Sequence, residues 1–133
     1  MTASTARVLV VDDNEMNRDM LSRRLRRQGF NVDVAENGEK ALEQVLVEHY
    51  GLVLLDIMMP GLDGYAVLER LKADAQTQRI PVIMISAVDD LDSVVRCIEM
   101  GAEDYLFKPF NPVLLKARVE ATISKSHRLE PAL

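Results

Sequence analysis

Cysteine occurs once in the 133 residues, at Cys97, so no intramolecular disulfide can form and a reducing, cytoplasmic setting is expected. No cysteine and histidine spacing matches a zinc site. The two histidines, His49 and His127, have no metal-ligand or triad neighbours and read as surface residues. No apolar run approaches the ~20 residues that cross a bilayer. The opening MTASTARVLVVDD also lacks a signal-peptide pattern, so membrane insertion is not expected. Neither GxxxxGK followed by Ser or Thr, nor GxGxxG, follows the first apolar run, which argues against a phosphate-loop or dinucleotide-binding protein. Positive charge is not in excess: the formal net charge is -5, which sets aside a general nucleic-acid-binding surface.

What is present is the profile of one globular domain, with 48% hydrophobic and 28% charged residues. Strands are expected at Val8 to Val11, Val32 to Ala35, Leu52 to Leu55 and Val82 to Ile85, with a weaker fifth at Asp104 to Phe107 that ends before Pro109. Helical spacing fills the gaps. Inward stripes are expected at Met16, Met20, Leu21 and Leu25, then at Ala41, Leu42, Val45 and Leu46, and then at Tyr65, Val67, Leu68 and Leu71. A fourth stripe is Leu91, Val94, Val95 and Ile98, and a fifth is Leu114, Leu115, Ala117 and Val119, opened by Asn111 as N-cap and Pro112 at the first helical position. Strict β-α alternation predicts an α/β fold, a doubly wound five-stranded parallel sheet flanked by five helices. The boundaries are set as a flexible tail at 1–6, the domain at 7–125, and a tail or the start of a linker at 126–133.

In such folds ligands bind beyond the carboxyl ends of the strands. One stretch there is unusual. GLVLLDIMMPGLDG places Asp56 at the end of an apolar run, and burying an unpaired carboxylate is costly. The same edge collects Asp12 and Asp13 after the first strand, Ser86 after the fourth and Lys108 after the fifth. Three converging carboxylates need cations. Mg2+ suits an oxygen-donor set that must also reach phosphate, and Lys108 is the second cation. A carboxylate beside a metal, an ammonium and a hydroxyl can attack a phosphoryl group, making Asp56 an aspartyl phosphate.

The segments VLVVDDNEMNRDML, LVLLDIMMPGLDGY, PVIMISA and DYLFKPF, in this order and spacing, resemble the receiver domain of two-component response regulators over Arg7 to Lys125. The resemblance implies a flavodoxin-like (CheY-like) sheet of order 2-1-3-4-5. It implies that Asp56 accepts phosphoryl from a sensor histidine kinase or a histidine phosphotransfer protein. Metal ligands would be Asp13, Asp56 and the backbone carbonyl of Met58, with Asp12 acting mainly through metal-bound water. Ser86 would bond a phosphoryl oxygen, Tyr105 would turn with Ser86, and the Lys108-Pro109 peptide would be cis. The chain would be chiefly a switch, catalysing only its own phosphorylation and a slow autodephosphorylation.

Each residue has a plainer reading when taken alone. Asp12 and Asp13 could be an acidic pair at a helix N-terminus, Ser86 a turn residue and Tyr105 a half-buried aromatic. Met58 and Met59 read as packing residues, while Pro60, Gly61 and Gly64 make a turn that also brings backbone near the phosphoryl group. Arg18, Arg23, Arg24, Arg26 and Arg27 read first as a solvated helix face, with docking of an acidic kinase surface as the alternative. Met58 and Val88 stand where receivers tune water attack, and both are apolar, which implies a long-lived phosphoryl group. The rival enzyme reading is a Mg2+-dependent aspartyl-phosphate phosphatase acting on small molecules. It expects a second aspartate two residues after the nucleophile, where this chain has Met58. Output is expected through the face of the fourth helix, fifth strand and fifth helix, toward an effector protein, a fused output domain or a homodimer partner. Direct contact with nucleic acid or membrane is not expected.

Overall fold

The computed structural model describes residues 6–87 and 90–129, the last four as backbone only. Val88, one of the two tuning positions, lies outside the described residues, as do positions 1–5 of the expected N-terminal tail and positions 130–133 at the other end. Ala6, assigned to that tail, packs against the core.

The chain alternates strand and helix throughout: β1 (Arg7–Val11), α1 (Glu15–Arg27), β2 (Asn31–Ala35), α2 (Gly38–Val47), β3 (Leu52–Asp56), α3 (Gly64–Ala73), β4 (Val82–Ser86), α4 (Leu91–Glu99), β5 (Asp104–Phe107) and α5 (Pro112–Leu129). All neighbouring strands pair in parallel, in the order β2-β1-β3-β4-β5. The expected doubly wound sheet of order 2-1-3-4-5 is the observed one.

Side chains alternate across each strand, so one sheet makes two cores. Val8, Val10, Leu52, Leu54 and Ile83 face α1 and α5, where Leu25, Leu115 and Val119 meet them. Leu9, Val11, Val53, Leu55 and Met84 face the other side, against Val45, Leu68 and Cys97. The three inner strands are apolar at nearly every position because helices cover both their faces, whereas the edge strand β2 keeps polar Asn31 and Asp33. An Asn or Asp precedes each helix and accepts a backbone N–H from its first turn: Asn14, Asn37, Asp63, Asp90 and Asn111. These caps let α1 and α2 start within a few residues of β1 and β2, whereas the seven residues 57–63 separate β3 from α3.

The helix faces are narrower than the apolar spacing suggests. Met16 and Met20 are 78% and 48% exposed, and only Leu21 and Leu25 of the expected α1 stripe are buried. Leu46 is exposed on α2 and Leu114 on α5. On α4 the expected stripe is largely on the outside: Leu91, Val95 and Ile98 are exposed, while Ser93 and Cys97, four residues apart, are buried. Small side chains at those two positions let the helix lie close to β5, and the larger aliphatics are left on the outer face.

Candidate functional site

The strand ends bring together Asp12, Asp13, Asp56 and Lys108. Asp12 and Asp56 are buried and Asp13 is exposed, yet carboxylate oxygens of all three lie within 4.8 Å of one another. Lys108 Nζ stands 3.1 Å from Asp12 Oδ2 and 3.5 Å from Asp56 Oδ2. One ammonium therefore bridges two buried carboxylates, and three negative charges face one positive. The oxygen-only donor set, clustered within reach of a single ion and carrying excess negative charge, fits Mg2+. Among the described residues no other group of three or more acidic, histidine or cysteine side chains comes together in this way.

Burial pushes the Asp56 carboxyl up to about 6, and the Asp12 charge adds to the rise. Lys108 and the Met58 backbone N–H act in the opposite direction without cancelling it. Asp56 is thus a carboxylate held in a place that disfavours its charge, which sharpens its demand for a cation or for covalent neutralisation.

The loop after β3 fixes Asp56 from below. Gly61 has φ of +72°, a conformation that L side chains rarely adopt. Gly64 donates its N–H to the Ile57 carbonyl at 2.9 Å, and a Cβ on Gly64 would lie 2.6 Å from the Ile57 Cα. α3 therefore closes against the backbone that carries the acid. Gly64→Ala must push that backbone away, and about 2 kcal/mol of stability should be lost in urea denaturation.

Ser86 is fully buried at the end of β4, and its carbonyl accepts the Lys108 backbone N–H at 2.9 Å. The Lys108-Pro109 peptide is cis. Tyr105 is buried, its ring 5.2 Å from that of Phe107, and its hydroxyl is 3.4 Å from Ser93 Oγ. Ser93 also contacts the Tyr65 hydroxyl, and Arg96 lies over the Tyr65 ring at 3.8 Å. Ser93, Tyr65 and Arg96 join α3 to α4 and, through the Tyr105 hydroxyl, to β5, and no local motif in the sequence marks them. Met59 is buried as expected of a packing residue, but Met58 is 64% exposed at the rim.

Next to the acids, a groove of about 430 Å³ is lined by Asp12, Asn17, Met20, Arg24, Lys108 and Phe110, among others. The arginines of α1 divide by role. Arg23 pairs with Asp19 on the surface, Arg26 donates to the Val32 carbonyl, Arg24 lines the groove, and Arg18 donates to the Asp12 carbonyl. No helix among the described residues is long and apolar enough to cross a membrane.

Known proteins with this arrangement are numerous. The transcriptional regulatory protein HprR of Escherichia coli K12 is 37% identical over 127 residues, covering 96% of this chain and 56% of that protein. The response regulator PleD of Caulobacter vibrioides is 41% identical over 117 residues, 88% of this chain but 26% of PleD. Among solved structures, the receiver domain of the Francisella response regulator 1452 superimposes with a TM-score of 0.85 at 31% identity, covering 92% of this chain and 99% of that one. The chain spans about half the length of the first curated relatives it matches, 52% and 56% in two cases. The family model described as response regulator receiver domain matches residues 8–120. A match that begins in the first strand and ends inside the last helix takes in the whole sheet with its acidic rim, and the chain belongs to the response regulator receiver domain family.

Proposed function

We propose that this receiver accepts a phosphoryl group on Asp56 from a phosphohistidine of a sensor histidine kinase or histidine phosphotransfer protein. The observation that carries the reading is the shared lysine: Lys108 bridges Asp12 and Asp56 while Asp13 completes the acidic cluster. Asp13, Asp56 and the Met58 carbonyl would hold Mg2+, with Asp12 through water, and the bound ion supplies charge neutralisation for the incoming phosphoryl oxygens. An Asp56 Oδ attacks phosphorus as the bond from phosphorus to the donor imidazole nitrogen breaks, giving an acyl phosphate and a neutral imidazole after proton uptake. Lys108, held in place by its carboxylates, moves its ammonium toward a phosphoryl oxygen, and the Ser86 hydroxyl donates to another.

Drawing Ser86 toward the phosphoryl group makes room for Tyr105 to move, and the α4-β5-α5 face changes with it. Leu91, Val95, Ile98, Phe107, Val113 and Leu114 are exposed on or beside these elements, an apolar surface suited to an effector, a fused output domain or a second copy. The groove between α1 and Phe110, with Arg24 at its side, offers the incoming kinase helix an apolar floor and a positive rim. The small-molecule phosphatase reading has no support from the site, because exposed Met58 cannot act as a general acid.

The test is intact mass after incubation with acetyl phosphate and Mg2+. A single phosphoryl adduct is expected on the wild type and none on Asp56→Asn or in EDTA. No adduct on the wild type would make the site silent. Exposed Met58 cannot orient a water, so the phosphoryl group should persist. Met58→Asn combined with Val88→Glu should speed its loss about 10-fold, since a positioned hydrogen-bonding group contributes at least that to water attack. An unaltered decay rate in the double variant would refute that role.

A further inference from the structure

Asp12 is tied at each of its polar groups. Its N–H donates to the Ala35 carbonyl at 3.3 Å. Oδ1 accepts from the Asn14 N–H at 2.9 Å, and Oδ2 accepts from Lys108 at 3.1 Å. Its carbonyl accepts from Arg18 Nη1 at 2.9 Å. Three of these ties come from the strand edge, the turn and the lysine. The fourth comes from the first turns of α1, from one of the arginines that read in sequence as a solvated face or a docking surface.

The carbonyl matters because of what lies on the other side of it. A peptide is planar, so the direction of the Asp12 C=O also fixes where the Asp13 nitrogen lies. With that plane held, the Asp13 side chain has one backbone origin from which to reach the other two carboxylates. Without it, the plane can rotate about the flanking bonds even while the Asp12 carboxylate stays on Lys108. Asp13 is exposed, so burial does little to fix its direction.

We propose that Arg18 is a positioning residue for the metal-binding acids: through the Asp12 carbonyl it sets the Asp12–Asp13 peptide plane and so aims the Asp13 carboxylate at the cluster. The inference rests on the Mg2+ reading above. It makes a prediction opposite in sign to simple electrostatics. Removing a positive charge near a divalent-cation site should tighten binding, whereas losing the orientation of a ligand should weaken it.

The experiment is calorimetric titration of the unphosphorylated protein with Mg2+, beside the Asp13 amide chemical shift in the metal-free state, since that N–H belongs to the peptide Arg18 holds. Arg18→Ala should raise the Mg2+ Kd about 10-fold, the scale on which outer partners of metal ligands act, and should shift the Asp13 amide. Arg18→Met keeps an aliphatic stem packed while removing the donor, and it should show the same loss with little change in thermal midpoint. Arg23→Ala removes an equal charge from the same helix without touching Asp12, and its Kd should stay at the wild-type value or tighten. An unchanged or tighter Kd in Arg18→Met, or an equal weakening in Arg23→Ala, would overturn the proposal. If the wild type itself gives no Mg2+ binding, the Mg2+ reading fails and takes this inference with it.

Discussion

Replacing Lys108 by methionine is expected to slow phosphoryl uptake from acetyl phosphate on the order of 10²-fold, the usual cost of removing one preorganised electrostatic partner from a reacting centre. The reason is geometric. The Lys108 ammonium stands 3.1 Å from Asp12 and 3.5 Å from Asp56, so a single substitution leaves two buried carboxylates facing each other with no fixed cation between them. The incoming phosphoryl oxygens bring further negative charge into the same space. The Mg2+-free protein should also lose about 2–3 kcal/mol of stability. That is the low end for breaking a buried pair, because Lys108 keeps some contact with solvent while its partners do not. Saturating Mg2+ should recover part of that stability, since it neutralises the same acids, but little of the rate. Lys108→Arg keeps the charge on a wider, planar head and should fall between the two. Uptake in Lys108→Met within threefold of wild type would show that the lysine has no part in the transfer.

A second large effect is expected in the pH dependence of the Mg2+-free protein. Burial, helped by the Asp12 charge, raises the Asp56 carboxyl from its ordinary value near 3.8 to about 6. Between those values the folded state holds a proton that the unfolded state has released. Unfolding then releases protons, and stability falls as pH rises through this window. The contribution is fully present below pH 3.8 and has been lost above pH 6. Its size is about 2–3 kcal/mol at about 1.36 kcal/mol per pKa unit. Asp56→Asn removes the titration. Its stability advantage over wild type, measured by urea denaturation in EDTA, should be small near pH 4 and reach that value by pH 7. Excess Mg2+ should shrink the advantage, because the ion stabilises the ionised carboxylate of the wild type. An advantage of equal size at both pH values would show that Asp56 does not carry the raised pKa.

Both effects concern residues that were legible in the chain. Asp12, Asp13, Asp56, Ser86 and Lys108 could be found by reading only the positions just after each apolar run, because a parallel β-α alternation delivers every strand end to the same edge. Asp56 drew notice by local inconsistency, as a charge closing an apolar run. The helix faces were less legible. Hydrophobic period describes which residues could be buried, not how far a helix overlaps the sheet. Met16 and Met20 share the spacing of Leu21 and Leu25 but are left exposed. On α4 the most apolar residues are outside and Ser93 and Cys97 inside, because close approach to β5 favours small side chains over large ones.

The roles that were hidden are those carried by contacts between distant or polar groups. The α1 arginines look alike as letters, yet of four of them Arg18 braces the Asp12 carbonyl, Arg26 caps the Val32 carbonyl, Arg23 pairs on the surface and Arg24 lines the groove. Ser93 has no local signature and acquires its meaning from meeting Tyr65 and Tyr105. Local composition and period by themselves determined the element order, the parallel sheet, and which acids and which lysine reach the rim, because those follow from short-range rules and chain topology. Only the tertiary structure decided which cation bridges which carboxylate, how deeply Asp56 is desolvated, and which arginine touches the acid turn, because charge energies and hydrogen bonds depend on separations of a few ångströms between residues as far apart in the chain as Asp12 and Lys108.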